Sequence, residues 1–314
     1  MAKREKEREV RKKNFLKQSA SRKIFNLCNV AFLGVFAFAT LYPFWYLLIV
    51  SFNTGRDTLK GGMWFLPRTF TLENFKLALT DDRMFRSLGI SVFITFMGVL
   101  LGLVLLSLVA YAMSVREFPG KTAFAFFWYF TTICSGGMIP YYLVLRNLKL
   151  TSSIWLYIIP GIYGFSRFVM IRTYFQGIPY ELRESAELDG AGHLAIMWKI
   201  YMPLAKPMLA TQGLMIGVGK WNDWFTGAYY QTKAKLYPAA TVLRVIMNES
   251  LAKSANQLGN DTGTLMLDST GLTTYTSTSI QYAFVVLLTI PILIAYPFVQ
   301  KYFVKGMLVG SVKG

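Results

Sequence analysis

The sequence predicts an all-α integral membrane protein with six transmembrane helices. Of the 314 residues, 54% are hydrophobic and only 16% are charged, whereas soluble domains carry about 25% charged residues. Long uncharged runs alternate with short basic loops, which is the pattern of a protein that crosses a bilayer several times. The formal charge of +17 lies in these loops and in the N-terminal tail. This distribution argues against a nucleic-acid-binding protein.

The charge-free runs give the positions of the spans. A helix needs about 20 mostly apolar residues to cross the hydrocarbon core. The predicted spans lie at about 30–50, 88–113, 122–142, 154–174, 207–219 and 280–302. The fifth is short, and Lys220 and Asp223 follow it directly, but Gly213, Gly217 and Gly219 suit close helix packing. We therefore expect this span inside the bundle, facing protein or a water-filled path.

Basic residues predict the orientation. Residues 1–23 carry ten Lys and Arg against three Glu, which suits a cytoplasmic anchor at anionic lipid headgroups. With the N-terminus inside, the inner segments hold 19 of the 33 Lys and Arg residues on less chain than the outer segments. Both termini are therefore expected in the cytoplasm. The first apolar run is too long for a signal peptide and lacks a cleavage site, so it is expected to be retained.

The polar chemistry of the chain predicts no catalytic, metal or cofactor site. Cys28 and Cys134 lie inside apolar runs, and His193 is the single histidine. These residues predict neither a disulfide framework nor a metal site. No phosphate-binding loop of the Walker type occurs in the sequence. Any ATP hydrolysis must therefore take place on another chain.

The loop between the fourth and fifth predicted spans carries the most specific pattern. Pro179 suits the first turn of a helix, and residues 180–188 combine Glu and Leu in a helical run. Gly190 and Gly192 then permit a turn, and Pro203 precedes the fifth span. The residues alone leave two interpretations open. One is an ordinary interfacial loop, and the other is a pair of short helices that a soluble partner moves as a unit.

This loop resembles the EAA signature of ABC importer permeases, which reads Glu-Ala-Ala, then Gly, then Ile-x-Leu-Pro at fixed spacing. Two positions depart from it, because Ser185 replaces Ala and Met202 replaces Leu. Both replacements are small or apolar. The resemblance implies that coupling helices at 179–202 contact a partner ATPase. The residues implied in this contact are Glu184, Ser185, Ala186, Asp189, Gly190, Ala191, Ile200 and Pro203.

Three more segments narrow the family. Residues 135–148, 220–225 and 300–314 resemble the LplC-type branch of the MalG-like carbohydrate permeases. The resemblance covers nearly the whole chain after the basic tail and implies the type I ABC importer permease fold. It also implies ATP-driven, binding-protein-dependent import of oligosaccharides by alternating access, across a bacterial cytoplasmic membrane. The implied partners are a sister permease in a heterodimer, two ATPase subunits that bind ATP and Mg, and an extracellular solute-binding protein.

The resemblance also sets the expected organisation of the chain. Residues 1–23 form a basic cytoplasmic tail, and residues 24–83 form the first span and an outer loop. Residues 84–303 form the core permease domain, and residues 304–314 form a cytoplasmic tail. In that last tail, Gly306, Gly310 and Lys313 are expected to reach the ATPases, the alternative being a frayed end. The polar segment 245–279 is either a solvated loop or a contact surface for an external partner.

Two other functions are alternatives to the permease. An ion-coupled secondary transporter would show midplane acidic residues or inverted repeats, and spans one, two, three and six contain no carboxylate. A membrane glycosyltransferase would need a catalytic cluster at the membrane face. The carboxylates of the inner loop, Glu181, Glu184, Glu187 and Asp189, could supply one. Their spacing fits the docking signature better.

A sugar path is predicted near the outer end of the fifth span. Trp221, Asn222, Asp223 and Trp224 combine aromatic rings for stacking with polar groups for hydrogen bonds. Consecutive helical residues point about 100° apart, so we expect Trp221 and Asn222 to face the path with one of the other two. Lys220 and Asp223 are expected to pair. The alternative interpretation is an aromatic belt at the membrane interface.

Overall fold

Helices make up almost all of the regular structure. The computed structural model describes residues 20–58, 60–256 and 276–311, and within them an isolated β bridge pairs Asn53 with Phe70. In chain order, the α-helices are α1 Ala20–Ser51, α2 Gly55–Thr58, α3 Glu73–Thr80, α4 Asp82–Ser114, α5 Lys121–Ile133, α6 Met138–Asn147, α7 Phe165–Gln176, α8 Tyr180–Leu188, α9 His193–Ile196, α10 Met202–Leu204, α11 Lys206–Trp221, α12 Phe225–Tyr230, α13 Ala239–Asn256 and α14 Ser277–Ser311.

The centre of the bundle is α4, against which α7 and α11 pack. Two glycines of α11 permit this approach: a Cβ atom on Gly213 would lie 3.2 Å from Leu103, and one on Gly217 would lie 3.4 Å from Val99. The close packing predicted for these two glycines is therefore observed, whereas a Cβ atom on Gly219 would meet no atom within 4 Å. The buried cluster between the helices contains Leu106, Ala110, Phe168, Ile171, Phe175, Met197, Tyr201, Leu209 and Ile216.

Two continuous helices of the described ranges are long and apolar enough to cross a membrane. They are Arg22–Ser51, which lies within α1, and Asp82–Ser114, which is α4. They coincide with the first and second predicted spans. Two bent pairs of helical segments satisfy the same criterion only when both members are counted as one span. By length and composition, the structure therefore gives two to four crossing segments.

The third predicted span, residues 122–142, is not one helix. Helix α5 ends at Ile133 and α6 begins at Met138, and their axes differ by 115°. Gly137 between them has φ +86°, a left-handed conformation that glycine adopts without a steric cost. The Ser-Gly-Gly sequence at 135–137 interrupts the apolar run and accounts for the break.

The fourth predicted span, residues 154–174, is broken as well. It begins with the 3-10 turns Ile154–Tyr157 and Ile159–Gly161, and α7 follows at an angle of 51°. Pro160 lacks the amide proton that an α-helix needs, and Gly161 and Gly164 follow it. The backbone therefore changes direction where the sequence pattern suggested a continuous helix.

The last two predicted spans correspond to α11 and α14. The 16 residues of α11 extend over about 24 Å, which is shorter than the hydrocarbon core of about 30 Å. Helix α14 includes Pro291 and Pro297 and continues past residue 304, where a separate tail was predicted. Gly306 and Gly310 are thus part of this helix, which ends at Ser311. Lys313, residues 1–19 and residues 257–275 lie outside the described residues.

Candidate coupling loop and substrate path

The predicted coupling loop begins with α8, and a Schellman motif closes the C-terminal end of this helix. The amide of Ala191 donates to the carbonyl of Ala186 at 2.9 Å, and the amide of Gly190 donates to the carbonyl of Glu187 at 3.0 Å. Gly190 has φ +80°, the left-handed conformation that the motif requires. Ala186 and Ala191 both pack against the buried core. Three positions of the signature, Ala186, Gly190 and Ala191, thus form the turn itself.

Arg183 anchors α8 to the chain that follows α4. Its side chain is only 6% exposed. Its Nε donates to Oε1 of Glu187 at 2.6 Å, and its Nη2 donates to Oε2 of Glu117 at 3.4 Å. Because Glu117 lies just beyond the C-terminal end of α4, this ion pair ties α8 to the central helix of the bundle.

Tyr180 reinforces the same anchor. The guanidinium of Arg116 lies 4.6 Å from the centre of the Tyr180 ring, and that of Arg183 lies 5.5 Å away, both within cation–π range. The Tyr180 hydroxyl also donates to Glu117 at 3.4 Å. The Glu117 carboxylate also accepts a hydrogen bond from the backbone amide of Glu117 itself. This bond, together with the nearby charge of Arg183, keeps the pKa of Glu117 below its ordinary value. The anchor therefore remains charged at neutral pH.

The other face of α8 is open to solvent. Glu184, Ser185 and Asp189 are exposed, and Leu188 is 85% exposed. Residues three and four positions apart share a face of a helix, so Leu188 lies beside Ser185 and Glu184. An apolar side chain flanked by polar groups is therefore exposed on a helix whose opposite face is anchored through Arg183.

The remaining residues of the signature connect this loop to α11. After α9, the chain forms a single π-helical segment, Met197–Tyr201, of the kind that often occurs at functional sites. Ile200 packs against the buried core, whereas Pro203 is exposed in α10. The two short helical segments joined by a glycine turn are thus present as expected, and a continuous helical path leads from α9 toward α11.

At the C-terminal end of α11, the four predicted sugar-path residues separate into two pairs. Trp221 is 7% exposed, and its Nε1 donates to the carbonyl of Leu288 on α14 at 3.0 Å. Asp223 accepts a hydrogen bond from the amide of Thr226 at 3.0 Å and so caps α12. Trp221 thus links α11 to α14, whereas Asp223 makes a local contact at the start of α12. The buried position of Trp221 corrects the expectation that its ring faces the path. Asn222 and Trp224 do line a cavity of about 510 Å³ between α11, α13 and α14.

Lys220 does not pair with Asp223, and no ion pair joins them in the described ranges. Its ammonium group instead donates to the carbonyl of Tyr157 in the broken fourth segment. The glycines at 98 and 161 leave room for this side chain, because a Cβ atom at Gly98 would lie 3.1 Å from it. The lysine thus satisfies a carbonyl group at the point where the helical hydrogen bonds are interrupted.

Comparisons with known proteins show the family of the chain. No family profile matches it. Protein LplC of Bacillus subtilis (strain 168) is 35% identical over 294 residues, which cover 93% of this chain and 96% of that protein. The polygalacturonan/rhamnogalacturonan transport system permease protein YtcP of the same organism is 34% identical, with coverage of 93% and 99%. The chain belongs to the permease subunits of ABC sugar transporters.

A solved structure gives the same result for the fold of this permease. A chain of a bacterial ABC transporter that imports the acidic polysaccharide alginate superposes with a TM-score of 0.81 and is 30% identical. The match covers 91% of this permease and 99% of that chain. The resemblance seen in the inner-loop signature and in the three other segments is therefore confirmed over almost the full length of the permease.

Arg183 and Glu117, which anchor α8, are residues that sequence analysis passed over. Arg183 and Glu187 are four positions apart on a helix, a spacing at which opposite charges can meet. That signal was available in the sequence. The contact with Glu117 joins positions 66 residues apart, and no local pattern predicts it.

Proposed function

We propose that this permease is one half of the pore of an ATP-driven, binding-protein-dependent oligosaccharide importer in a bacterial cytoplasmic membrane. A sister permease completes the heterodimer, two ATPase subunits bind ATP and Mg, and an extracellular solute-binding protein delivers the sugar. The chain itself binds no nucleotide. It crosses the membrane six times, with both termini in the cytoplasm.

The architecture supports six crossings. Helices α1 and α4 are each long and apolar enough to cross alone, and each of the two bent pairs, α5 with α6 and the 3-10 turns with α7, is so when its members are counted as one span. Helix α11 packs between α4 and α14. A short helix in that position needs no lipid-facing apolar surface along its whole length. Helix α14 then returns the chain to the cytoplasmic side.

The geometry of α8 carries the proposal for energy coupling. Its outer face presents Glu184, Ser185, Leu188 and Asp189, while Arg183 ties its inner face to the end of α4. A force applied to the exposed face is therefore transmitted to the bundle and is not absorbed by a flexible loop. When the ATPases close on ATP, α8 moves with them, and the bundle turns from inward-open to outward-open.

The sugar path lies at the outer end of α11. Asn222 offers an amide and Trp224 offers a ring that is 36% exposed. Sugars present both C–H faces and hydroxyl groups, so an aromatic ring and an amide side by side suit them. The solute-binding protein releases the sugar into this region, and the C-terminal segment with Gly306, Gly310 and Lys313 reaches the ATPases on the inner side.

The docking of α8 is tested by co-purification of the ATPase subunits with the two permeases. Leu188→Glu removes an exposed apolar contact and introduces a charge. Burial of a leucine stabilises a contact by about 1.5–3 kcal/mol, so the ATPase should bind roughly tenfold to a hundredfold more weakly. Leu148→Glu is the matched control, because this leucine is 63% exposed at the end of α6, on the opposite side of the membrane. Equal ATPase recovery with the two variants would contradict the docking.

A further inference from the structure

The cavity beside Trp224 contains one charged side chain, Arg244 of α13. The other side of the cavity is formed by α14 residues between Val285 and Ile292. At 1.5 Å per residue, these lie roughly 12 to 22 Å along α14 from its first residue. In the proposed topology they belong to the sixth crossing segment, so the arginine shares a cavity with residues placed at bilayer depth.

Arg244 has unused binding capacity. Its guanidinium lies 5.0 Å from the centre of the Trp224 ring, within cation–π range. That contact occupies one face of the guanidinium and none of its five N–H donors. Within the described part of the chain, Arg244 has no carboxylate within ion-pair distance and no hydrogen-bond acceptor. The side chain is exposed in the isolated permease.

An unpaired arginine at this depth needs an explanation. Charged side chains within membrane segments face a water-filled cavity or pair with an opposite charge, because exposure to lipid is costly. The planar guanidinium binds a carboxylate through two parallel hydrogen bonds, a geometry that an ammonium group cannot reproduce. The neighbouring groups add the means to hold a sugar ring: Trp224 offers an aromatic face, and Asn222 and Thr289 offer polar groups.

From this arrangement we infer that Arg244 is a specificity-determining residue for oligosaccharides that carry carboxylate groups, that is, for uronate sugars. The inference rests on the proposed importer function and adds a substrate class to it. In this arrangement, the guanidinium binds the uronate carboxylate while Trp224 stacks on the sugar face. Neutral sugars receive only the stacking and the amide contact.

The test uses the whole importer in proteoliposomes, with oligogalacturonate and its methyl ester as paired probes. Arg244→Gln is compared with wild type for ATP-dependent uptake of each probe at saturating solute-binding protein. The preferences of the binding protein cancel in each wild-type-to-variant ratio, because the binding protein is unchanged. We expect uptake of the acid to fall about tenfold to a hundredfold, the effect of losing a charge-assisted hydrogen bond. Uptake of the ester should fall less than about twofold.

Two further variants separate the alternatives. Arg244→Lys keeps the charge but loses the forked geometry, so it should restore uptake of the acid only in part. Arg86→Gln removes an exposed arginine from the outer end of α4, outside this cavity, and should leave both probes unaffected.

Each contrary outcome has a distinct meaning. An equal loss of both probes, or loss of the sister permease from the purified complex with Arg244→Gln, would overturn the inference, the latter by showing that Arg244 pairs across the subunit interface. If the wild-type importer took up neutral oligosaccharides and no acidic ones, the inference about Arg244 would also be overturned, while the importer function would remain supported. Absence of ATP-dependent uptake of any oligosaccharide would count against the importer function itself.

Discussion

The turn at the end of α8 provides a matched pair of substitutions. Gly190 has φ +80°, and Gly192, two residues later, has φ −73°. An added Cβ atom would meet no atom within 4 Å at either position. Alanine at both positions therefore adds the same methyl group to equally open surroundings. Only the backbone conformation distinguishes the two variants.

The expected magnitude follows from that conformation. For a residue with a side chain, the left-handed conformation costs about 1–2 kcal/mol of conformational free energy. A destabilisation of this size lowers the population of the native turn by a factor of roughly 5 to 30. Gly190→Ala should therefore weaken the two hydrogen bonds of the Schellman motif and misdirect the exposed face of α8. Gly192→Ala adopts its native conformation without strain and should be neutral or slightly stabilising.

The assay is the ATPase rate of the complete transporter, measured with and without sugar-loaded binding protein. We expect Gly190→Ala to lose most of the stimulation by the binding protein while the permease still inserts and assembles with its sister. Gly192→Ala should retain the wild-type stimulation. If both variants retained full stimulation, or if both lost it equally, the role assigned to the left-handed turn would be refuted.

Three other substitutions test the packing that supports the sites. Arg183→Gln should reduce binding-protein-stimulated ATPase activity about tenfold. The permease should stay folded, because the carboxylates that the substitution leaves unpaired reach solvent, and its melting temperature serves as the check. Trp221→Phe should lower the free energy of unfolding by about 0.5–1.5 kcal/mol, since the indole Nε1 no longer donates to the carbonyl of Leu288 on α14. Gly227→Ala should be destabilising by about 1–3 kcal/mol, because the added methyl group collides with Thr241. Gly219→Ala, which meets no neighbouring atom, should cause no loss in the same thermal-unfolding measurement.

The sequence predicted the parts of the fold that depend on composition and local pattern. The charge-free runs located α1 and α4, and the glycines at 213 and 217 predicted the close packing of α11, although not the helix that packs against it. Hydropathy could not show that two spans are bent, because it averages over windows longer than a break. Gly137 and Pro160 were visible in the sequence, but an apolar run does not show the angle at which its two halves meet.

The candidate sites show the same division between local and long-range information. Gly190 was predicted from the need for a turn, and its φ of +80° meets that need. The orientation of Trp221 could not be predicted, because it depends on the carbonyl of Leu288, 67 residues away. Lys220 likewise contacts Tyr157, 63 residues earlier, instead of its local neighbour Asp223. Spacing along one helix identifies possible partners, whereas tertiary packing selects among them.

The most direct test of the central claim is ATP-dependent oligosaccharide uptake by proteoliposomes that contain this permease, its sister permease, the two ATPases and the binding protein. The account predicts accumulation that requires internal ATP and that disappears when this chain or either ATPase is omitted. It also predicts that accumulation is insensitive to the collapse of ion gradients. Uptake that persists without the ATPases and follows an imposed ion gradient would contradict the account, because it would show that this chain is an ion-coupled transporter.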